Sequence, residues 1–298
     1  SLVAEVYTLH TAMMAGVILA LLHWADAPSP ARLALPVLLM TLSLGNHAAT
    51  VLLVPGCLWF VLTRHPRQLA DGRIWLASSA AIILGAAVFL TLPLRYAQQP
   101  AFNYAGVYDA HGRFVPVNLQ TAEGLVWLLT GESFSGQMFG YAWAEVGGQV
   151  GAYGRQLGLA FLGIGLGPGV AGLFVLLRRD WRLGGLLLLM FIANAIFYIN
   201  YRVIDKNTMY LPTYLIWALW LGIGCQVLLD LWGSAAGRVW ALRGVLATAV
   251  LLAVISNWHL VDLSADWSTR EQSEAILSEV EPNALVLGWW DTIPAIQY

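Results

Sequence analysis

Seven apolar runs divide the chain, at residues 6–25, 33–62, 74–94, 157–177, 183–199, 211–232 and 240–260, with Pro, Gly, Arg or Asp clusters between them. About 20 apolar residues cross the hydrocarbon core of a bilayer, so the pattern makes lipid the solvent for most of the chain. Composition agrees: only 11% of the 298 residues are charged, against about 25% in soluble domains. An ordinary soluble enzyme is excluded. The run 33–62 is anomalous, being too long for one crossing and short of the roughly 40 residues that two crossings need. Gly45-Asn46-His47 at its centre predicts two short helices meeting at a polar turn, and so about eight membrane segments.

Orientation follows from the placement of Arg in the short connections. Arg64, Arg67 and Arg73, then Arg178, Arg179 and Arg182, then Arg238 and Arg243 mark three connections as cytoplasmic. Alternation places 95–156, 200–210 and the tail from 261 outside. With 33–62 as a broken pair, Glu5 and Asn46-His47 open to the same outer side. Polar groups in apolar segments are costly and usually line a cavity, so their shared direction predicts one extracytoplasmic site.

Residues 95–156 hold many Gly and the aromatics Phe102, Tyr104, Tyr108, Trp127, Phe139, Tyr141, Trp143 and Tyr153. They read as a loop on the headgroup layer, with a short interfacial helix at 121–130. From 261 the chain turns soluble. Ser268 or Thr269 is expected to cap a helix ending near 280, Ala284–Trp290 reads as a strand, and Asp291-Thr292 as the N-cap of a further helix. The domain plan is a membrane domain over 1–260 and the start of a soluble α/β or α-rich domain over 261–298. The first residue is Ser, and the chain is expected to begin inside a longer gene product.

Several chemistries are disfavoured. Gly167-Pro168-Gly169-Val170-Ala171-Gly172 imitates a dinucleotide fingerprint but follows no strand; small residues at a helix contact explain it better. Gly131-Glu132-Ser133-Phe134-Ser135 misses the nucleophile elbow. The six His show no zinc-protease spacing, and Cys57 and Cys225 sit singly in apolar runs. The sequence therefore does not indicate a divalent metal, and the cofactor stays open. With net charge −2 and Lys206 the sole Lys, nucleic acid is not an expected partner.

Three constellations carry chemistry. In Ala4-Glu5-Val6-Tyr7-Thr8-Leu9-His10, Glu5 stands at the outer mouth of a helix with His10 a little over one turn away; a helix-end carboxylate in the headgroup layer is the plain alternative. Gly45-Asn46-His47 offers free helix ends to a polar or anionic ligand, or side chains that merely satisfy the broken backbone. In Tyr201-Arg202-Val203-Ile204-Asp205-Lys206-Asn207-Thr208-Met209-Tyr210, Arg202 and Lys206 suit a phosphate, with Asp205 and the Tyr hydroxyls fixing a sugar; a solvated connector is the alternative. The site so read has Glu5 and Asp205 as catalytic groups. His10, Asn46, His47, Tyr201, Arg202, Lys206 and Tyr210 bind substrate.

AEVYTLH at the start of a span, LGNH before an apolar run reaching Pro55, YRVIDKNTMYLPTY between two late spans and PNALVLGWWDT in the tail together resemble the bacterial protein O-mannosyltransferase-like membrane proteins. The likeness covers nearly the whole chain in the same order. It implies an all-α polytopic GT-C-type bundle in the bacterial cytoplasmic membrane. It also implies transfer of a sugar, mannose being the natural candidate, from a polyprenyl-phosphate donor to a hydroxyl of a protein or glycan on the outer face. Family members carry an acidic motif in an outer loop upstream of the A-E-V-Y segment, and none occurs here, so the principal catalytic acid is expected before Ser1. A transporter or lipid-linked sugar flippase would also use broken helices, and predicts an inverted repeat that is not visible.

Overall fold

The computed structural model describes residues 6–100, 103, 105–203, 206–231, 236–262, 264–281, 284 and 286. They divide into two compact units, one within 5–233 and one within 234–298. The larger unit contains α1 (Val6–Asp26), α2 (Pro30–Asn46), α3 (Val54–Arg64), α4 (Gly72–Ala86) and α5 (Thr91–Ala97). A hairpin of β1 (Gly106–Tyr108) and β2 (Phe114–Pro116) follows, then α6 (Ala122–Leu129), α7 (Trp143–Ala160), α8 (Leu166–Arg179), α9 (Trp181–Asn200) and α10 (Leu211–Leu231). The smaller unit contains α11 (Ala236–Val261) and α12 (Ser268–Glu279).

Local chemistry sets the helix starts. Ser29 accepts the Arg32 N–H at 3.3 Å with Pro30 in the first turn of α2, Asp71 accepts the Arg73 N–H at 2.9 Å, and Asp180 accepts those of Arg182 and Leu183 at 3.1 Å. Each satisfies N–H groups that the first helical turn leaves without a backbone partner.

Four helical stretches among the described residues are long and apolar enough to cross a membrane, namely Val6–Asp26, Gly72–Ala97, Trp181–Asn200 and Thr208–Leu231. The expected count of about eight is not reached, because several apolar runs are divided. The 33–62 run breaks at His47, as its polar centre implied, into α2 and a 3₁₀ turn (Ala48–Leu53) that leads into α3. The 157–177 run is also broken. Gly163 takes a left-handed φ of +68° and its N–H bonds back to the Gly158 carbonyl at 2.7 Å, closing α7 before α8 begins.

The stretch 95–156 is more ordered than a loop. A helix is present where a short one was expected, as α6, capped by Thr121. The first three-quarters of α7 was hidden by glycine content. In the smaller unit, Trp267 rather than Ser268 or Thr269 precedes α12, and the Asp266 carboxylate accepts the Ser268 N–H at 3.0 Å. The strand expected at 284–290 and the cap at 291–292 fall outside the described residues except for Ala284 and Val286.

Close approach of backbones organises the larger unit. The glycine-rich turn of α8 packs directly on α10, with Gly172 against the Trp220 carbonyl and Gly224 against that of Pro168, as expected for small residues at a membrane helix contact. The core gathers Met14, Leu21, Trp24, Phe60, Leu186, Met190, Ile216 and Trp220. Leu76, Ile83 and Leu90 are exposed instead, which suits a lipid-facing wall. The bundle has two unlike ends. At one, Arg64 pairs with Asp180 at 3.0 Å, Arg182 donates to the Thr63 carbonyl at 2.8 Å and His65 donates to that of Ala25 at 3.0 Å. At the other, the start of α1, the break at His47, the end of α9 and the start of α10 converge.

Candidate functional site

The converging end is built from side chains that the helix break makes available. His47 ends α2 in an extended conformation and caps the following 3₁₀ turn, its Nδ1 accepting the Ala49 N–H at 3.0 Å. Asn46 donates through Nδ2 to the Val6 carbonyl at 3.0 Å, fixing the break to the first turn of α1. One turn deeper on α1, His10 has no exposed surface. Its Nδ1 lies 3.3 Å from Thr50 Oγ1, which donates to the His47 carbonyl at 2.9 Å and bonds Ser43 Oγ at 2.7 Å. The two His rings are 5.4 Å apart between centroids, with the Tyr7 ring 5.1 Å from His47.

The structure therefore brings His10, Asn46 and His47 into one cluster. It adds Ser43, Thr50 and Tyr7, which sequence reasoning left out of the site. Ser43 and Thr50 bracket the break, and a hydroxyl on each side of a helix interruption was the available signal. Both are fully buried, so each needs the partner it has found.

The connector residues form a second group. Lys206 Nζ donates to Gln149 Oε1 at 2.6 Å, to the Ile199 carbonyl at 3.3 Å and to the Tyr141 hydroxyl at 3.4 Å, and lies 4.7 Å from the centre of the Tyr141 ring. The Arg202 guanidinium carbon lies 5.7 Å from the centre of the same ring, while its backbone N–H donates to the Gln137 carbonyl at 2.9 Å. Tyr201 stacks on Phe197 at 5.5 Å. Tyr210 is buried, its hydroxyl donating to the Tyr198 carbonyl at 3.3 Å and its ring 4.6 Å from that of Tyr153.

One aromatic and aliphatic cluster, of Ala49, Tyr153, Tyr198 and Tyr210 with Tyr7 and Tyr201 against it, adjoins both groups. Glu5 and Asp205 lie outside the described residues. Among the described residues no group of three or more His, Cys, Asp or Glu is placed to hold a metal ion. A surface hollow lined by Tyr96, Gln99, Asn103 and Gln120 belongs to the outer segment and touches none of these residues.

Fold and site together define an all-α membrane protein whose apolar helices gather a buried histidine–hydroxyl cluster at one end. Residues 1–70 match the family model described as the protein O-mannosyl-transferase TMEM260 N-terminal domain. That stretch contains α1, α2, α3 and the whole His10–His47–Thr50 cluster. The matched residues are less than a quarter of the chain. No curated protein matches the chain, and no solved structure does.

Proposed function

We propose that this chain is part of an integral membrane glycosyltransferase of GT-C type, transferring a sugar from a polyprenyl-phosphate donor to a hydroxyl of a protein or glycan on the extracytoplasmic face. The observation that carries the reading is the coincidence of the O-mannosyltransferase family match over residues 1–70 with a buried polar cluster inside those residues. Buried polar groups at membrane depth are expensive and mark functional positions. In this reading the Arg-rich end of the bundle is cytoplasmic and the histidine end outside, in a bacterial cytoplasmic membrane. The residues from 261 begin a soluble domain.

The donor's prenyl tail takes a lipid-facing groove and its phosphate takes cations at the outer boundary. Arg202 is the better placed of the two candidate cations, since the Lys206 ammonium already directs bonds to three oxygens. Glu5 and Asp205 take the acid–base and sugar-fixing roles. The test is transfer of a labelled sugar from a polyprenyl-phosphate donor by membranes containing the protein. Glu5→Gln and Asp205→Asn are each expected to abolish transfer at unchanged membrane abundance; transfer at the parental rate would remove these residues from the site.

A further inference from the structure

The bonds that His10 and His47 make through Nδ1 determine which nitrogen of each ring bears a proton. Thr50 has one hydroxyl hydrogen, and we assign it to the His47 carbonyl, 2.9 Å away, which can only accept. The Thr50 oxygen is then the acceptor for both other neighbours, so Ser43 Oγ donates at 2.7 Å and His10 Nδ1–H donates at 3.3 Å. A buried imidazolium without a counter-charge would be costly, so His10 is the neutral Nδ1–H tautomer and Nε2 holds a lone pair. That atom is buried and has no hydrogen-bond partner among the described residues.

His47 is the reverse. Its Nδ1 accepts the Ala49 N–H at 3.0 Å, which excludes a proton there and places it on Nε2. Among the described residues His47 Nε2 has no hydrogen-bond partner. His47 is half-buried, between His10 and the end of the bundle.

We propose that His10 Nε2 and His47 Nε2–H form a subsite for one neutral hydroxyl group, which donates to the first nitrogen and accepts from the second. A hydroxyl both donates and accepts. A fully ionised phosphate has no hydrogen for His10, and an ammonium has no lone pair for His47. One oxygen bonded to two nitrogens at about 2.8 Å holds them about 4.6 Å apart, and the two rings stand 5.4 Å apart between centroids. The hydroxyl belongs either to the transferred sugar or to the acceptor, an assignment that rests on the glycosyltransferase reading; the hydrogen-bonding polarity of the pair does not.

The test uses the complete chain in lipid nanodiscs with ¹⁵N-labelled histidine. The ring shifts are expected to report Nδ1–H for His10 and Nε2–H for His47; the opposite tautomers, or a doubly protonated ring, overturn the proposal. Methyl α-mannoside and N-acetylthreonine amide are then titrated separately, with dimethyl phosphate, a phosphodiester anion with no hydrogen to donate, as a third arm. Movement of both Nε2 resonances with the sugar or with the threonine amide supports the subsite and tells which source supplies the hydroxyl. No movement, or movement with dimethyl phosphate alone, overturns it. His10→Asn retains an N–H donor towards Thr50 but has no acceptor at the Nε2 position, and is expected to weaken binding of the active probe at least tenfold at unchanged melting temperature. Unchanged affinity counts against the subsite. Binding at the pair without sugar transfer in membranes removes the enzymatic reading and leaves the subsite standing.

Discussion

Thr50 is the residue on which the buried cluster depends. Its single hydroxyl serves the His47 carbonyl, Ser43 and His10 at once. Thr50→Val keeps the shape and leaves the buried Ser43 hydroxyl and His10 Nδ1 short of a partner, each worth about 1–3 kcal/mol when unpaired, while the His47 carbonyl keeps the backbone N–H of residue 50 at 3.1 Å. The expected outcome is a loss of roughly 2 kcal/mol or more in detergent-solubilised thermal unfolding. The control is Thr63→Val, whose hydroxyl donates to the Trp59 carbonyl of its own helix at 2.7 Å and whose loss is expected to be nearly neutral. Equal effects from the two variants would show that the cluster is not a stability centre. His10, Asn46 and His47 were legible in the sequence because polar residues in apolar runs are conspicuous. Thr50 and Ser43 were not, because hydroxyl residues are common in membrane helices and become informative only when a break turns them towards each other.

At the scale of elements, sequence reading succeeded where periodicity was simple and failed where glycine diluted it. Gly45-Asn46-His47 announced the division between α2 and α3, since a polar tripeptide has no place in the middle of a span. Trp143–Ala160 carries Gly147, Gly148, Gly151, Gly154 and Gly158, which lower helix propensity and made a helix resemble a loop. The β1–β2 hairpin was hidden for another reason. Its strands are three residues each, too short for an alternating pattern, and the turn between them is held by one carboxylate. Asp109 accepts the backbone N–H groups of Arg113 at 2.9 Å and His111 at 2.8 Å, and these bonds, with the Arg113 side chain, hold its carboxyl below the usual range. A depressed folded pKa means that the stabilisation is present above the unfolded value of about 3.9 and is lost as pH falls through the lower folded value. The amide shifts of His111 and Arg113 are expected to titrate with a midpoint below 3.9 (an approximate reference), and Asp109→Asn to abolish that titration. A midpoint at or above the reference would contradict the role given to the turn.

For the whole molecule, the contrast between ends is the feature most open to direct test. Ala70 belongs to the Arg-rich end and Thr130 follows α6 in the outer segment, and both are exposed. In a background with Cys57→Ala and Cys225→Ala, a membrane-impermeant thiol reagent added to intact cells is expected to label Thr130→Cys and spare Ala70→Cys. Labelling in the opposite sense would invert the proposed orientation. Charge counting made the Arg-rich end readable, because Arg placement in short connections is a local signal. The packing of distant helices was not readable, because no local pattern records which apolar faces meet.

Gly56 of α3 lies directly against the Leu186 carbonyl and the Met190 side chain of α9, and Arg64 waits for Asp180, 116 residues further along the chain. During synthesis the first three helices therefore leave the ribosome long before the helix that completes them. Until α9 arrives, the groove at Gly56 has only lipid to fill it, and the guanidinium of Arg64 has only headgroups and water. Biogenesis thus has an order built into it, with an early helical hairpin that forms locally and a late insertion that locks it. A premature stop between the two would leave a membrane-inserted intermediate with an open seam, a form suited to recognition by quality-control proteases.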